Sequence, residues 1–241
     1  MKKQLSTLLV VALCVLSAVA QTPEEIFAKF AEKTKIETFN ANYKETSSVC
    51  EMEIVVGPVT MPVKVVAKYP GQFRCDMVMQ GTNVLVIVND TTGYVTANSQ
   101  TQVIEGKEAI AQLIPLMDFA NDCAPTIDNF RDLKFVGTTG KGKKECCILE
   151  GIAIDSNTKT KLYFNTTTSL LVKLESAYTS PEGKTEEFET SLLNYKEYCD
   201  GELYLPSKIS TPTPEGTLVI KITNFEVDYP TAPWMFAAPK M

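Results

Sequence analysis

Residues 50–79 read CEMEIVVGPVTMPVKVVAKYPGQFRCDMVM, and this stretch decides the fold. Every second residue is apolar in Cys50, Met52, Ile54 and Val56, with Glu51 and Glu53 between them. A turn at Gly57-Pro58 leads into Val59, Met61, Val63, Val65 and Ala67. Pro70-Gly71 makes the next turn, and Phe73, Cys75, Met77 and Met79 alternate with Arg74, Asp76, Val78 and Gln80. Successive side chains of a strand point to opposite faces. Three period-2 runs joined by Gly/Pro turns therefore predict an antiparallel meander with one apolar face.

The pattern extends in both directions. Val84 to Val88 is apolar on both faces, as in a more buried strand, and after the turn Asn89-Asp90-Thr91-Thr92-Gly93 the segment Tyr94 to Ala97 returns. Upstream, Thr22 is placed to cap a helix, with Pro23 at its first position and Glu25 completing a capping box. Ile26, Phe27, Phe30 and Ala31 give that helix one apolar face. Downstream, Ile110, Leu113, Ile114 and Met117 form a helical stripe that Pro115 interrupts. Residues Asn121 to Asp132 read as a further short helix or an irregular linker. A second set of strands follows: 135–138, 146–152, 161–165, 170–176, 186–195, 205–211 and 218–229, with glycines marking the turns. No low-complexity linker separates the halves. The expectation is a single α+β domain, mostly β, with one curved antiparallel sheet and helices packed on one side.

The first residues read as an export signal: Lys2 and Lys3, an apolar run from Leu8 to Leu16, then Ala18-Val19-Ala20 for cleavage before Gln21. Cys14 follows Leu13 and precedes more apolar residues, a poor context for lipidation. This divides the chain into a signal peptide, 1–20, and one domain, 21–241, in the periplasm. The formal charge is −6, or −8 without Lys2 and Lys3, and no basic cluster is present, which excludes nucleic acid as a partner. No later segment is apolar enough to cross a membrane as a helix.

The chain contains no histidine. That removes Ser-His-Asp and Cys-His triads and the usual zinc sites. The stretch Gly137-Thr138-Thr139-Gly140-Lys141-Gly142-Lys143-Lys144 approaches a phosphate-binding loop but ends in Lys144 where a hydroxyl should hold Mg²⁺, and it lies between two strands, so it reads as a hairpin. Carboxylate pairs such as Glu186-Glu187 read as solvated faces. No catalytic residue, metal site or cofactor is expected. Cys50, Cys75, Cys123, Cys146, Cys147 and Cys199 read equally as disulfide partners or as buried small hydrophobes. Cys50 and Cys75 share the apolar face of the meander, with one strand between them. Four of the eight methionines lie between Met52 and Met79, all on the apolar side. Met is flexible and polarisable, so such a face serves either as core or as a wall adaptable to varied apolar ligands.

Three stretches together resemble a known family. They are Met61-Pro62-Val63 leading to Lys68-Tyr69-Pro70-Gly71-Gln72-Phe73-Arg74, the turn Asn89-Asp90-Thr91-Thr92-Gly93-Tyr94, and the ending Trp234-Met235-Phe236-Ala237-Ala238-Pro239. They resemble the basic-x-Pro-x-x-Phe-Arg strand pair, the D-G-K-x-x-W turn and the terminal F-x-x-P of the outer-membrane lipoprotein-sorting superfamily, the LolA-like carriers, and above all its divergent members in Bacteroides-type bacteria. The resemblance implies an unclosed antiparallel half-barrel whose concave apolar face is covered by helices and holds acyl chains. Relatives of that shape bind other lipids, sense envelope stress, or in one pigment pathway act as an enzyme, so shape alone does not settle function. The carriers have Arg immediately before the Pro of the strand pair, tied to holding and releasing cargo. Tyr69 stands there in this chain, which points to general lipid binding.

The sequence therefore leads to a non-enzymatic periplasmic binder or carrier of acyl chains or lipoproteins, with an envelope protein-interaction or stress-sensing module as the alternative. The expected lipid-contacting residues are Met52, Ile54, Met61, Val63, Val65, Tyr69, Phe73, Met77 and Met79 on the sheet, capped by Leu113, Ile114 and Met117.

Overall fold

In the computed structural model, residues 21–43, 45–69, 71–106, 110, 123–154, 156–179, 185–213 and 216–239 are described. The export signal and the cap residues Leu113, Ile114 and Met117 lie outside them.

Two helices come first. Helix α1 spans Pro23–Thr34 and α2 spans Ile36–Tyr43. The capping box is present: the Glu25 amide donates to the Thr22 hydroxyl oxygen at 3.2 Å, and the Thr22 amide donates to the Glu25 carboxylate at 3.4 Å. Lys35, with φ of 59°, ends α1 in the left-handed conformation and turns the chain into α2. Helix α2 has only Ile36 and Phe39 buried, too short a stripe for periodicity to announce it.

Thirteen strands follow: β1 Ser47–Val56, β2 Val59–Lys68, β3 Gln72–Met79, β4 Thr82–Asn89, β5 Thr92–Ala97, β6 Gln100–Glu105, β7 Phe130–Thr139, β8 Cys146–Ala153, β9 Lys159–Asn165, β10 Leu171–Thr179, β11 Thr185–Tyr198, β12 Leu203–Thr213 and β13 Gly216–Val227. They make one antiparallel sheet in the order β6-β5-β4-β3-β2-β1-β13-β12-β11-β10-β9-β8-β7. The sheet is two meanders, β1–β6 and β7–β13, joined where β1 pairs with β13, and it stays unclosed between the edge strands β6 and β7. This is the expected half-barrel. The sequence reading missed β6, whose Gln100-Thr101-Gln102 start carries no apolar alternation, and began β7 five residues late because two bulges break its period. The loop 140–145 is a hairpin between β7 and β8.

The helices pack against the β7–β13 half. Phe27 and Phe30 meet Phe164 of β9 at 5.2 and 5.4 Å, and Phe39 meets Phe225 of β13 at 6.0 Å. The main core joins these rings to Cys50, Met52, Val63, Val65, Phe73 and Cys75 from the other half. On the outer face a smaller cluster, Val49, Val66, Ile87 and Phe236, seats the C-terminal turn Pro233–Phe236.

Candidate functional site

The register of β1–β6 sorts side chains into levels on the inner face. Nearest the helices stand Ala67, Phe73, Val88 and Ile104; next come Cys50, Val65, Cys75, Val86 and Val95; then Met52, Val63, Met77, Val84 and Ala97; and at the hairpin-tip end Ile54 faces Met61. None of these positions carries a charge. Charges from the same strands occupy the outer face and pair there. Lys64 donates to Glu51 at 2.9 Å, and Arg74 makes two hydrogen bonds to Asp76, at 2.6 and 2.7 Å.

Burial falls along this wall. The two levels nearest the helices are buried at Ala67, Phe73, Val88, Cys50, Val65 and Cys75 and half-buried toward the β6 edge at Val86, Val95 and Ile104. At the third level Met52 and Val63 are still buried, whereas Met77 and Val84, and Ile54 and Met61 beyond them, are half-buried. From Cys50 to Val56 the strand covers about 20 Å at ~3.4 Å per residue. The β13 side continues the trough: Ile222 faces Met52, Ile220 faces Ile54, and Ile209 of β12 faces Ile220. A bulge opposite Glu51/Met52 leaves Thr223 without a cross-strand partner, so that Phe225 and Ile222, three residues apart, both stay in the core.

The structure thus brings Met52, Ile54, Met61, Val63, Val65, Phe73 and Met77 onto one wall. Tyr69 lies at the helix end, half-buried, its ring edge-on to Phe73 at 5.8 Å. Met79 stands apart at a hairpin tip, 47% exposed. The sequence reading missed Val84, Val86, Val95 and Ile104, and the opposite wall of Ile209, Leu218, Ile220 and Ile222. The alternation of Leu218, Ile220 and Ile222 was the available signal.

Cys50 and Cys75 both face Val65, one from each side, which separates them by two strand spacings, about 9.5 Å. Bridging needs Cα atoms within about 7 Å, and both thiols are free. Burial pushes Cys50 up to about 12 and Cys75 up to about 11, so both are neutral members of the apolar wall.

An unclosed antiparallel sheet of this shape has been seen before. A DUF1329 family protein from Desulfovibrio piger superimposes with a TM-score of 0.55 at 17% identity, over 89% of this chain and 96% of the other. A domain from Vibrio parahaemolyticus assigned to outer membrane lipoprotein sorting superimposes with a TM-score of 0.52 at 14% identity, over 86% of this chain and 97% of the other. The chain shares the fold of these two proteins. No family model matches the sequence, and no curated protein is a significant match. Among the described residues no helix is long and apolar enough to cross a membrane.

Proposed function

We propose that this protein binds the acyl chains of lipids or lipoproteins in the periplasm of a Gram-negative cell, without catalysing a reaction. The observation that carries the reading is the uncharged inner wall of β1–β6, buried at the helix end and half-buried toward the hairpin tips. Such a gradient suits a ligand that enters at the tips. Each methylene that leaves water contributes about 0.8 kcal/mol, so ten supply roughly 8 kcal/mol before the cost of association. Few polar contacts are needed, which fits a wall without charges. The lipoprotein-sorting assignment of the Vibrio domain supports the same class of cargo. The export pattern ending at Ala20 supports the compartment, and intact mass of protein expressed in its envelope should show the loss of residues 1–20.

Met77→Asp tests the site. Met77 lies between Val63 and Val84 on the inner wall, and an unpaired carboxylate there is costly to desolvate. The variant should lose binding of fatty-acyl probes, while Val78→Asp, on the outer face of the same strand, should keep it. A thermal melt of each separates lost binding from lost folding. A folded Met77→Asp that binds as tightly as wild type sinks the reading. The alternative, an envelope interaction module, draws on Trp234, 70% exposed on the outer face beside buried Phe236. On that reading Trp234→Ala, not Met77→Asp, removes function in cells.

A further inference from the structure

Among the described residues, one buried side-chain polar atom has no hydrogen-bond partner: the hydroxyl of Tyr198. Tyr198 ends β11, is 6% exposed, and belongs to the main core. Its ring meets Phe225 edge-on at 6.2 Å, and Phe225 faces Cys50 across the β1–β13 seam. That places the phenol at the helix end of the trough, level with Cys50, Val65 and Cys75. Burial, with the Cys50 and Cys123 thiols beside it, holds the phenol protonated. Its neighbour on the same strand behaves differently. Tyr195 donates its hydroxyl to the Leu171 carbonyl at 2.6 Å.

An orphaned buried hydroxyl costs stability in the empty protein, because it has given up water without a replacement. A phenol both donates and accepts one hydrogen bond. The Lys196 ammonium lies over the ring, 4.7 Å from its centroid, and donates to the Thr223 carbonyl at 3.5 Å, while the groups beside the hydroxyl are the Cys50 and Cys123 thiols. A carboxylate or phosphate at the hydroxyl would lose its water among thiols and rings, which disfavours a charged head at this depth. We infer that Tyr198 is the polar anchor at the inner end of the trough, and that the ligand is an amphiphile with a neutral oxygen head, a hydroxyl or carbonyl, bound head-in with its chain running toward the hairpin tips. The inference rests on the trough reading above and narrows it, since a chain tethered to a protein or a charged headgroup enters tail-first.

Dodecanol and dodecane, each displacing an uncharged naphthylamine fluorophore, test it with wild type, Tyr198→Phe and Tyr195→Phe. The anchor predicts that Tyr198→Phe weakens dodecanol about 2- to 10-fold, the worth of one hydrogen bond, and leaves dodecane unchanged. It also predicts that ligand-free Tyr198→Phe melts no lower than wild type, whereas Tyr195→Phe melts lower and keeps the dodecanol-to-dodecane ratio. An unchanged ratio in Tyr198→Phe overturns the anchor alone. So does a melting temperature that falls as far as that of Tyr195→Phe, because the hydroxyl then has a partner in the empty protein. If neither probe binds wild type, the trough reading fails and the anchor with it.

Discussion

Phe30 has no exposed surface and sits between Phe27, at 6.5 Å, and Phe164, at 5.4 Å. With Phe27 it is one of the two rings through which α1 grips Phe164 of the sheet. Truncating a buried ring removes its transfer energy and leaves a cavity, so Phe30→Ala should cost about 3–5 kcal/mol in a denaturant melt. Cys50 sets a pH limit. Its folded thiol is pushed from an ordinary value of 9 to about 12 by burial first and Glu51 second. Above pH 9 the unfolded chain loses this proton while the folded chain keeps it. The contribution is therefore complete below pH 9 and is lost as pH rises toward 12, with a slope of about 1.4 kcal/mol per unit. Cys50→Ala should flatten the stability curve across that window, and an unchanged curve would show that the thiol is solvated.

Among the elements, α1 depends on its cap. Thr22 satisfies one orphan amide of the first turn, and Thr22→Ala should cost about 1 kcal/mol. The C-terminal turn Pro233–Phe236 is a strap on the outer face of β1–β4. Phe236 is buried against Val49, Val66 and Ile87, and Arg74 donates to the Met235 carbonyl at 3.3 Å. Phe236→Ala should lower stability by about 3–5 kcal/mol yet leave acyl binding unchanged, because the sheet separates strap from trough. Loss of both together would mean that the strap shapes the inner wall. The hairpin between β7 and β8 holds Gly140 at φ 80°, where an added Cβ would lie 2.3 Å from the Lys144 carbonyl oxygen. The phosphate-binding loop that the sequence approaches opens a helix, whereas this one joins two strands.

For the whole molecule, the β1–β13 seam and the shared core make one unit of two meanders. Unfolding should be a single transition in calorimetry, with calorimetric and van't Hoff enthalpies equal. Two separate transitions would show that the seam is weaker than either half. Most outer-face ion pairs have at least one partner more than a third exposed, so salt at about three times physiological strength should move the melting temperature little.

What residues 50–79 determine by themselves is the alternation, and with it the strands, their turns and a single apolar face, because side-chain period 2 leaves no other way to bury that set. The capping box at Thr22 and the aromatic stripe of α1 were equally local and equally legible. Which strands become neighbours was not local. The pairing of β1 with β13, some 170 residues away in sequence, is set by two extended edges that fit once both meanders exist, and no spacing in either stretch encodes the partner. The same holds for the bulge at Thr223 that keeps Phe225 in the core, and for the separation of Cys50 from Cys75 by Val65. It holds most of all for Tyr198. In sequence it is one tyrosine at the end of a strand; only the folded core, by burying its hydroxyl beside Cys50 and offering it no acceptor, makes it a candidate for the ligand's one polar contact.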